Sequence, residues 1–306
     1  MPDAPPTPPA RTSRPESRVV DRLVIGAGYL GLRAARRWRD SGDRVALVTR
    51  SQKRAETFAA LGFDAIVADV VDGRSLKALP TATTMLHAVG YDRSAAPSKR
   101  AVYVDGLSHV LDAIADRVDR VVYASSTSVY GSEAERTVDA ASAPNPTTEG
   151  GEICLAAEDV LRTAAMRHGF ESIIVRYAGL YGPGRTLAKQ QALRDALELA
   201  GTGDETLNLI QIEDAAAIAI AAADAAAPPP ILLASDREPV CRRDYYRELA
   251  ALIDAQPPRF NQQPRAGRPL SSRRCDSSAT WEALAIEPAF PTYREGLHDA
   301  IAASAR

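Results

Sequence analysis

The chain has 306 residues, 45% of them hydrophobic and 25% charged, with a formal net charge of −2. That mix suits one large globular domain or two modest ones. The balance of 37 basic against 39 acidic residues offers no electrostatic footprint for nucleic acid or an anionic membrane. No stretch approaches the roughly 18 consecutive apolar residues of a membrane span, and residues 1–18 lack the apolar core of a secretory signal. The three cysteines, Cys154, Cys241 and Cys275, stand far apart, without metal-ligand spacing or a disulfide framework. No metal is therefore expected, and a reducing cytoplasm is the expected compartment.

Residues 1–18 hold six prolines and almost no large apolar side chain, so they read as a disordered tail. From residue 19 short β-branched runs alternate with Ala- and Leu-rich helical stretches. Strands are expected at 19–25, 44–49, 64–68, 82–88, 119–125 and 171–177. Helices are expected through Trp38 and at 52–61, 99–116 and 148–168. Such alternation implies parallel pairing with helices on both faces, a doubly wound, Rossmann-type α/β sheet. Its dinucleotide-binding domain would span 19–180. After Tyr177 the rhythm loosens. A helix at 187–199, a strand at 207–212, an Ala-rich helix at 214–225 and a strand at 231–234 follow, with 207–235 expected to return to the main sheet. Residues 181–206 and 236–306 would form a smaller C-terminal substrate lobe. In it a helix at 242–253, a Pro- and Gln-rich loop at 256–269 and a helix at 292–302 are expected.

The first strand runs into Gly26-Ala27-Gly28-Tyr29-Leu30-Gly31, a GxGxxG between strand and helix. Gly26 permits the tight turn, Gly28 lets the backbone approach a pyrophosphate, and Gly31 lets helix pack on strand. The exposed N–H groups at the helix start favour the phosphate anion. Gly26, Gly28, Tyr29, Leu30 and Gly31 are thus the expected cofactor loop. At the end of the second strand, where an NAD-selective site places a carboxylate, stands Thr49-Arg50-Ser51. A guanidinium at Arg50 suits a 2′-phosphate, which favours NADP over NAD. Asp69 and Val70 would lie near the adenine, and Ala88 and Val89 would pass under the cofactor.

The stretch Ser125-Ser126-Thr127-Ser128-Val129-Tyr130-Gly131 resembles the SSxxVYG segment of extended short-chain dehydrogenases/reductases, the NAD-dependent epimerase/dehydratase family. Asn145-Pro146-Thr147 ahead of Leu155-Ala156-Ala157-Glu158, then Val175-Arg176 through Tyr181-Gly182-Pro183-Gly184, then Asn208 through Asp214, match further segments in order. The resemblance covers about residues 19–253. It implies a nicotinamide dinucleotide, a small-molecule substrate (nucleotide sugars in many members), and homodimers paired through the helices at 99–116 and 148–168. It also implies a Ser or Thr that holds the substrate oxygen, here Ser126 with Thr127 adjacent. Finally, it implies a Tyr acid/base with a Lys one helical turn later.

That Tyr and Lys are absent: Gly150 and Cys154 stand at their positions. Glycine has no proton to transfer and a thiol no fixed charge. Substitutes in reach are Tyr130, Tyr181, Glu149 and Glu152, with Tyr91-Asp92-Arg93 able to line a substrate cleft. Two functions follow. One is an oxidoreductase or isomerase using Ser126 and a non-standard acid/base. The other is a catalytically silent dinucleotide-binding sensor or interaction module.

Overall fold

The structure is a computed structural model that describes residues 19–92, 97–131, 136–263 and 272–304. The tail at 1–18, Arg93, and residues 264–269 of the Pro- and Gln-rich loop lie outside the described residues. Seven strands form one sheet: β1 (Val19–Ile25), β2 (Val45–Thr49), β3 (Asp64–Val67), β4 (Thr81–His87), β5 (Val118–Ser126), β6 (Glu171–Tyr177) and β7 (Ile231–Ala234). Their spatial order is β3-β2-β1-β4-β5-β6-β7, and every neighbouring pair is parallel. All five β2 residues are buried, as an apolar run covered on both faces requires. The order reverses between β1 and β4, which opens a crevice at their carboxyl ends.

Each face has its own core. On one, Ala34, Ala35 and Trp38 of α1 (Gly31–Asp40) and Phe58 of α2 (Gln52–Ala60) share a core with the alanines of α6 (Ile212–Asp224). On the other, Leu107, Val110 and Leu111 of α3 (Gly106–Ile114) pack with Ile153, Ala157 and Leu161 of α4 (Glu149–His168). α4 is well specified by its ends. The Thr148 hydroxyl accepts from the Gly151 N–H at 3.2 Å, Glu149 and Glu152 occupy the first turn, and Gly169 closes the helix at φ +72°.

Three expected elements differ from the structure. The helix expected at 99–116 is divided into a π turn (Ala101–Asp105), α3 and a 3₁₀ turn (Ala115–Arg117). A Cβ at Gly106 would lie 2.8 Å from Val70 Cγ2, so glycine there lets the helix press on the loop after β3. The helix expected at 187–199 stops as α5 (Leu187–Arg194). Ala196, at φ +50°, turns the chain so that Glu198–Leu199 pairs with Arg259–Phe260. The strand expected at 207–212 stays out of the main sheet. Thr206–Leu207 pairs with Val240–Cys241, and Leu209–Gln211 pairs with Gly179–Tyr181.

The second lobe is built on Tyr181, Leu193, Tyr245, Leu249, Tyr293 and Leu297, which join α5, α7 (Arg242–Leu252) and α9 (Tyr293–Ser304). Helix α8 (Ser278–Ala283) instead returns to the main sheet. There Thr280 accepts the Leu233 N–H and the Trp281 indole donates to the Ser235 carbonyl.

Asp236, two residues past β7, is buried. Burial lifts its carboxyl to about 8, against a hydrogen bond from the Glu238 N–H, with Glu238, Asp214 and Glu295 adding repulsion. An unfolded aspartate titrates near 4. The folded state therefore holds a proton that the unfolded chain has released. The stability contribution is full below about pH 4 and is lost as pH rises through about 8. Asp236→Asn is expected to flatten that slope: between pH 5 and pH 8 the parent's melting midpoint falls more than the variant's. Equal slopes in the two proteins would contradict this.

Candidate functional site

A cleft of about 980 Å³ lies at the carboxyl ends of β1, β2, β4 and β5. Its floor is the glycine loop. Gly26 has φ +95°, and a Cβ there would stand 2.6 Å from the Ala88 carbonyl carbon. A Cβ at Gly31 would stand 2.3 Å from the Gly26 carbonyl oxygen and 3.0 Å from Val24 Cγ1. A Cβ at Gly28 would meet nothing within 4 Å, and Gly28 lines the cleft. Two glycines thus hold the backbone tight, and the middle one keeps open the space a pyrophosphate needs. Tyr29 lies between two guanidiniums, Arg33 at 4.4 Å and Arg185 at 4.5 Å from its ring centroid. Its hydroxyl donates to the Pro183 carbonyl at 3.1 Å, which ties the loop to the second lobe. Burial raises the Tyr29 phenol's pKa, with both guanidiniums opposing.

Along the β2 and β3 side, Arg50 is exposed and borders the cleft. Arg54 also borders the cleft and braces the loop: its guanidinium donates to the Ala27 carbonyl, and its backbone N–H donates to the capping Ser51 hydroxyl at 3.3 Å. The Asp69 carboxylate accepts from the Val71 N–H at 3.1 Å. Gly26, Gly28, Tyr29, Leu30, Arg50, Asp69, Val70, Ala88 and Val89 all line the one cleft, while Gly31 lies behind it in the helix–strand contact. The donors and the open cradle at Gly28 fit a dinucleotide.

At the β5 end the named residues separate. Ser126 lines the cleft, and its hydroxyl accepts from the Ser128 N–H at 3.1 Å, capping the 3₁₀ turn Thr127–Tyr130. Thr127 and Tyr130 are buried and are not among the lining residues. Thr127 faces the Cys275 thiol, and Tyr130 lies under Arg176, 4.9 Å from ring centroid to guanidinium. Tyr181 is buried in the second lobe, and Glu149 and Glu152 are exposed on the first turn of α4. Cys154 is buried; desolvation raises its pKa, with the Lys99 ammonium and a Ser128 hydrogen bond opposing.

Sequence reasoning passed over four residues in and around the cleft. Ser125 borders the cleft and donates at 2.6 Å to Glu158, which is fully buried in a fork with Arg176 at 2.7 and 3.0 Å. Tyr103 also lines the cleft, its oxygen accepting the Tyr91 N–H at 3.1 Å. Lys99 reaches across so that a Cβ at Gly150 would stand 2.7 Å from its Nζ. The signal for the last pair was there: Lys99 and Tyr103 are four apart in an expected helix. Arg185, the remaining one, follows the Gly182-Pro183-Gly184 turn. No group of three or more His, Cys, Asp or Glu able to hold a metal occurs among the described residues, and no described helix is long and apolar enough to cross a membrane.

The parallel sheet reversing beside a glycine cradle defines a dinucleotide-binding protein of the Rossmann class. More specifically, the chain belongs to the NAD dependent epimerase/dehydratase family, whose profile matches residues 22–233. It is 27% identical over 279 residues to Protein YeeZ of Escherichia coli K12, covering 88% of this chain and 95% of that one. Among solved structures it is similar to MoeE5 in complex with UDP-glucuronic acid and NAD. The TM-score there is 0.78 at 23% identity, over 94% of this chain and 99% of that one. It is also similar to the UDP-glucuronic acid 4-epimerase of Bacillus cereus in complex with UDP-glucuronic acid and NAD. There the TM-score is 0.76 at 19% identity, over 93% and 99% of the two chains.

Proposed function

We propose that the chain binds NADP in preference to NAD and acts as an oxidoreductase or isomerase on a hydroxyl or carbonyl of a nucleotide-sugar-type substrate. The observation that carries the reading is the cradle, where Gly26 and Gly31 are locked against backbone while Gly28 opens into the cleft. When bound, the nicotinamide supplies a reversible two-electron carrier. Gly28, Tyr29 and Leu30 face the pyrophosphate, Arg50 a 2′-phosphate, and Ser126 the substrate oxygen. The substrate class is drawn from the similar structures that hold UDP-glucuronic acid or UDP-glucose. Arg185, exposed at the cleft mouth, adds a cation suited to a diphosphate. The free thiols Cys154, Cys241 and Cys275 support a cytoplasmic setting.

The cofactor preference has a direct test. Arg50→Ala is expected to weaken NADP binding by about 1.5–3 kcal/mol, the range for hydrogen bonds to charged groups, and to leave NAD binding nearly unchanged. Equal weakening of both, or tighter NAD than NADP in the parent, would refute the assignment. The silent-module reading is favoured by one observation: Gly150 and Cys154 stand where the acid/base pair would be. Conversion of UDP-glucuronic acid or UDP-glucose by the parent protein with added dinucleotide would exclude it.

A further inference from the structure

The geometry points to Lys99 and Tyr103 as the proton-transfer pair of this site, presented from the helical segment before α3, whose π turn carries Tyr103, rather than from α4. This rests on the dinucleotide reading above. Four tyrosines line the cleft: Tyr29, Tyr91, Tyr103 and Tyr177. Tyr29 donates its hydroxyl proton to the Pro183 carbonyl and Tyr177 its own to the Ala215 carbonyl, so both protons are engaged. Tyr103 differs: its oxygen accepts the Tyr91 N–H at 3.1 Å, which leaves its own proton to be directed elsewhere. That donated N–H favours the phenolate once the proton has gone. Of Tyr91 and Tyr103, the latter has the ammonium. Lys99 Nζ lies 5.4 Å from the Tyr103 ring centroid, on the same helix face one turn earlier.

The position of Lys99 explains the glycine opposite. Its Nζ occupies the place where a side chain at 150 would begin, 2.7 Å from the would-be Cβ. α4 carries no side chain there, and the neighbouring helix places in that space a cation half-buried against Gly150, Cys154 and Tyr103. The turn that carries Tyr103, Ala101–Asp105, is a π turn, a form that recurs at functional sites. Burial raises the Tyr103 phenol's pKa, so near neutral pH it holds its proton, the form a donor needs. In the reductive direction the Tyr103 O–H bond breaks and an O–H bond forms on the substrate oxygen. A bound reduced dinucleotide would supply the hydride, so that a C–H bond forms at the carbon bearing that oxygen as its C=O π bond opens. The phenolate left behind keeps the Tyr91 N–H donor, with the Lys99 ammonium over its ring, and in the oxidative direction it takes the proton back.

The test uses the full chain with ring-¹³C-labelled tyrosine, the Tyr103 signal being assigned by its loss in Tyr103→Phe. Lys99→Met is expected to raise the Tyr103 ionisation midpoint by about one pH unit or more. Lys99→Arg is expected to restore it. Saturating NADP is expected to shift the Tyr103 signal in the parent protein. An unmoved midpoint in Lys99→Met, or calorimetric binding of NADP without any response at Tyr103, would overturn the pair. Turnover of UDP-glucuronic acid undiminished in Tyr103→Phe would overturn it too. Loss of the dinucleotide reading looks different: no NADP or NAD binding by calorimetry, with the Lys99–Tyr103 coupling intact.

Discussion

Glu158→Ala is expected to destabilise the fold by about 3–5 kcal/mol, the usual consequence of removing one partner of a buried ion pair. Glu158 and Arg176 have side-chain exposures of 0% and 1%, and two hydrogen bonds of 2.7 and 3.0 Å join them. Ser125 and Arg162 complete the carboxylate's partners at 2.6 and 2.7 Å. Without Glu158 the Arg176 guanidinium keeps its charge in a dry pocket between β6 and the Tyr130 ring. For a chain of this size the melting midpoint is expected to fall by roughly 10 °C. The double variant Glu158→Leu with Arg176→Met is expected to regain most of that, because an apolar pair leaves no charge unmatched. Thermal unfolding of the three proteins checks this; a single-variant loss below about 1 kcal/mol would contradict it. The network also reaches the site, since Ser125 lines the cleft and immediately precedes Ser126.

The second large effect is expected at Gly31. Its Cβ would stand 2.3 Å from a backbone oxygen of the glycine loop, a contact that no side-chain rotation relieves. Gly31→Ala is therefore expected to cost about 1–3 kcal/mol by overpacking, partly offset by alanine's better helix propensity. The displaced atom belongs to Gly26, so the cradle moves with it. Dinucleotide affinity is expected to fall by roughly tenfold or more, the equivalent of about one lost charge-assisted hydrogen bond. Calorimetric titration beside a thermal melt reads both. A variant with parental affinity would show that the loop is not the binding element.

The part of the fold legible in the sequence was the part set by local pattern. β-branched runs such as Val45–Thr49 permit little but a buried strand. GxGxxG between strand and helix dictates backbone geometry, and its residues line one cleft with Gly31 behind. What escaped depends on tertiary contact. Nothing near residue 208 announces that Leu209–Gln211 pairs with Gly179–Tyr181 instead of the main sheet, because a three-residue apolar run fits either partner. The end of α5 turns on Ala196 at positive φ, which alanine rarely adopts and no propensity flags. Glu158 read as one member of a motif; its pairing with Arg176 is 18 residues away and needs β6 to bring it in. Gly150 is plain in the sequence, and the substitutes that sequence motifs offer for its missing side chain are Glu149, Glu152, Tyr130 and Tyr181. Lys99 reaches it from the neighbouring helix, and only the packing of that helix on α4 makes the two neighbours.

The central claim is that the cleft holds a nicotinamide dinucleotide against Gly28. The most direct measurement is calorimetric titration of the parent protein and of Gly28→Val with the oxidised and reduced forms of NAD and NADP. A Cβ at Gly28 would meet no protein atom within 4 Å, so the variant is expected to melt with the parent while its added methyl groups occupy the pyrophosphate space. Binding of a dinucleotide by the parent and loss of that binding in Gly28→Val at an unchanged melting midpoint is the predicted result. A parent that binds none of the four, or a Gly28→Val protein that binds as tightly as the parent, would contradict the account.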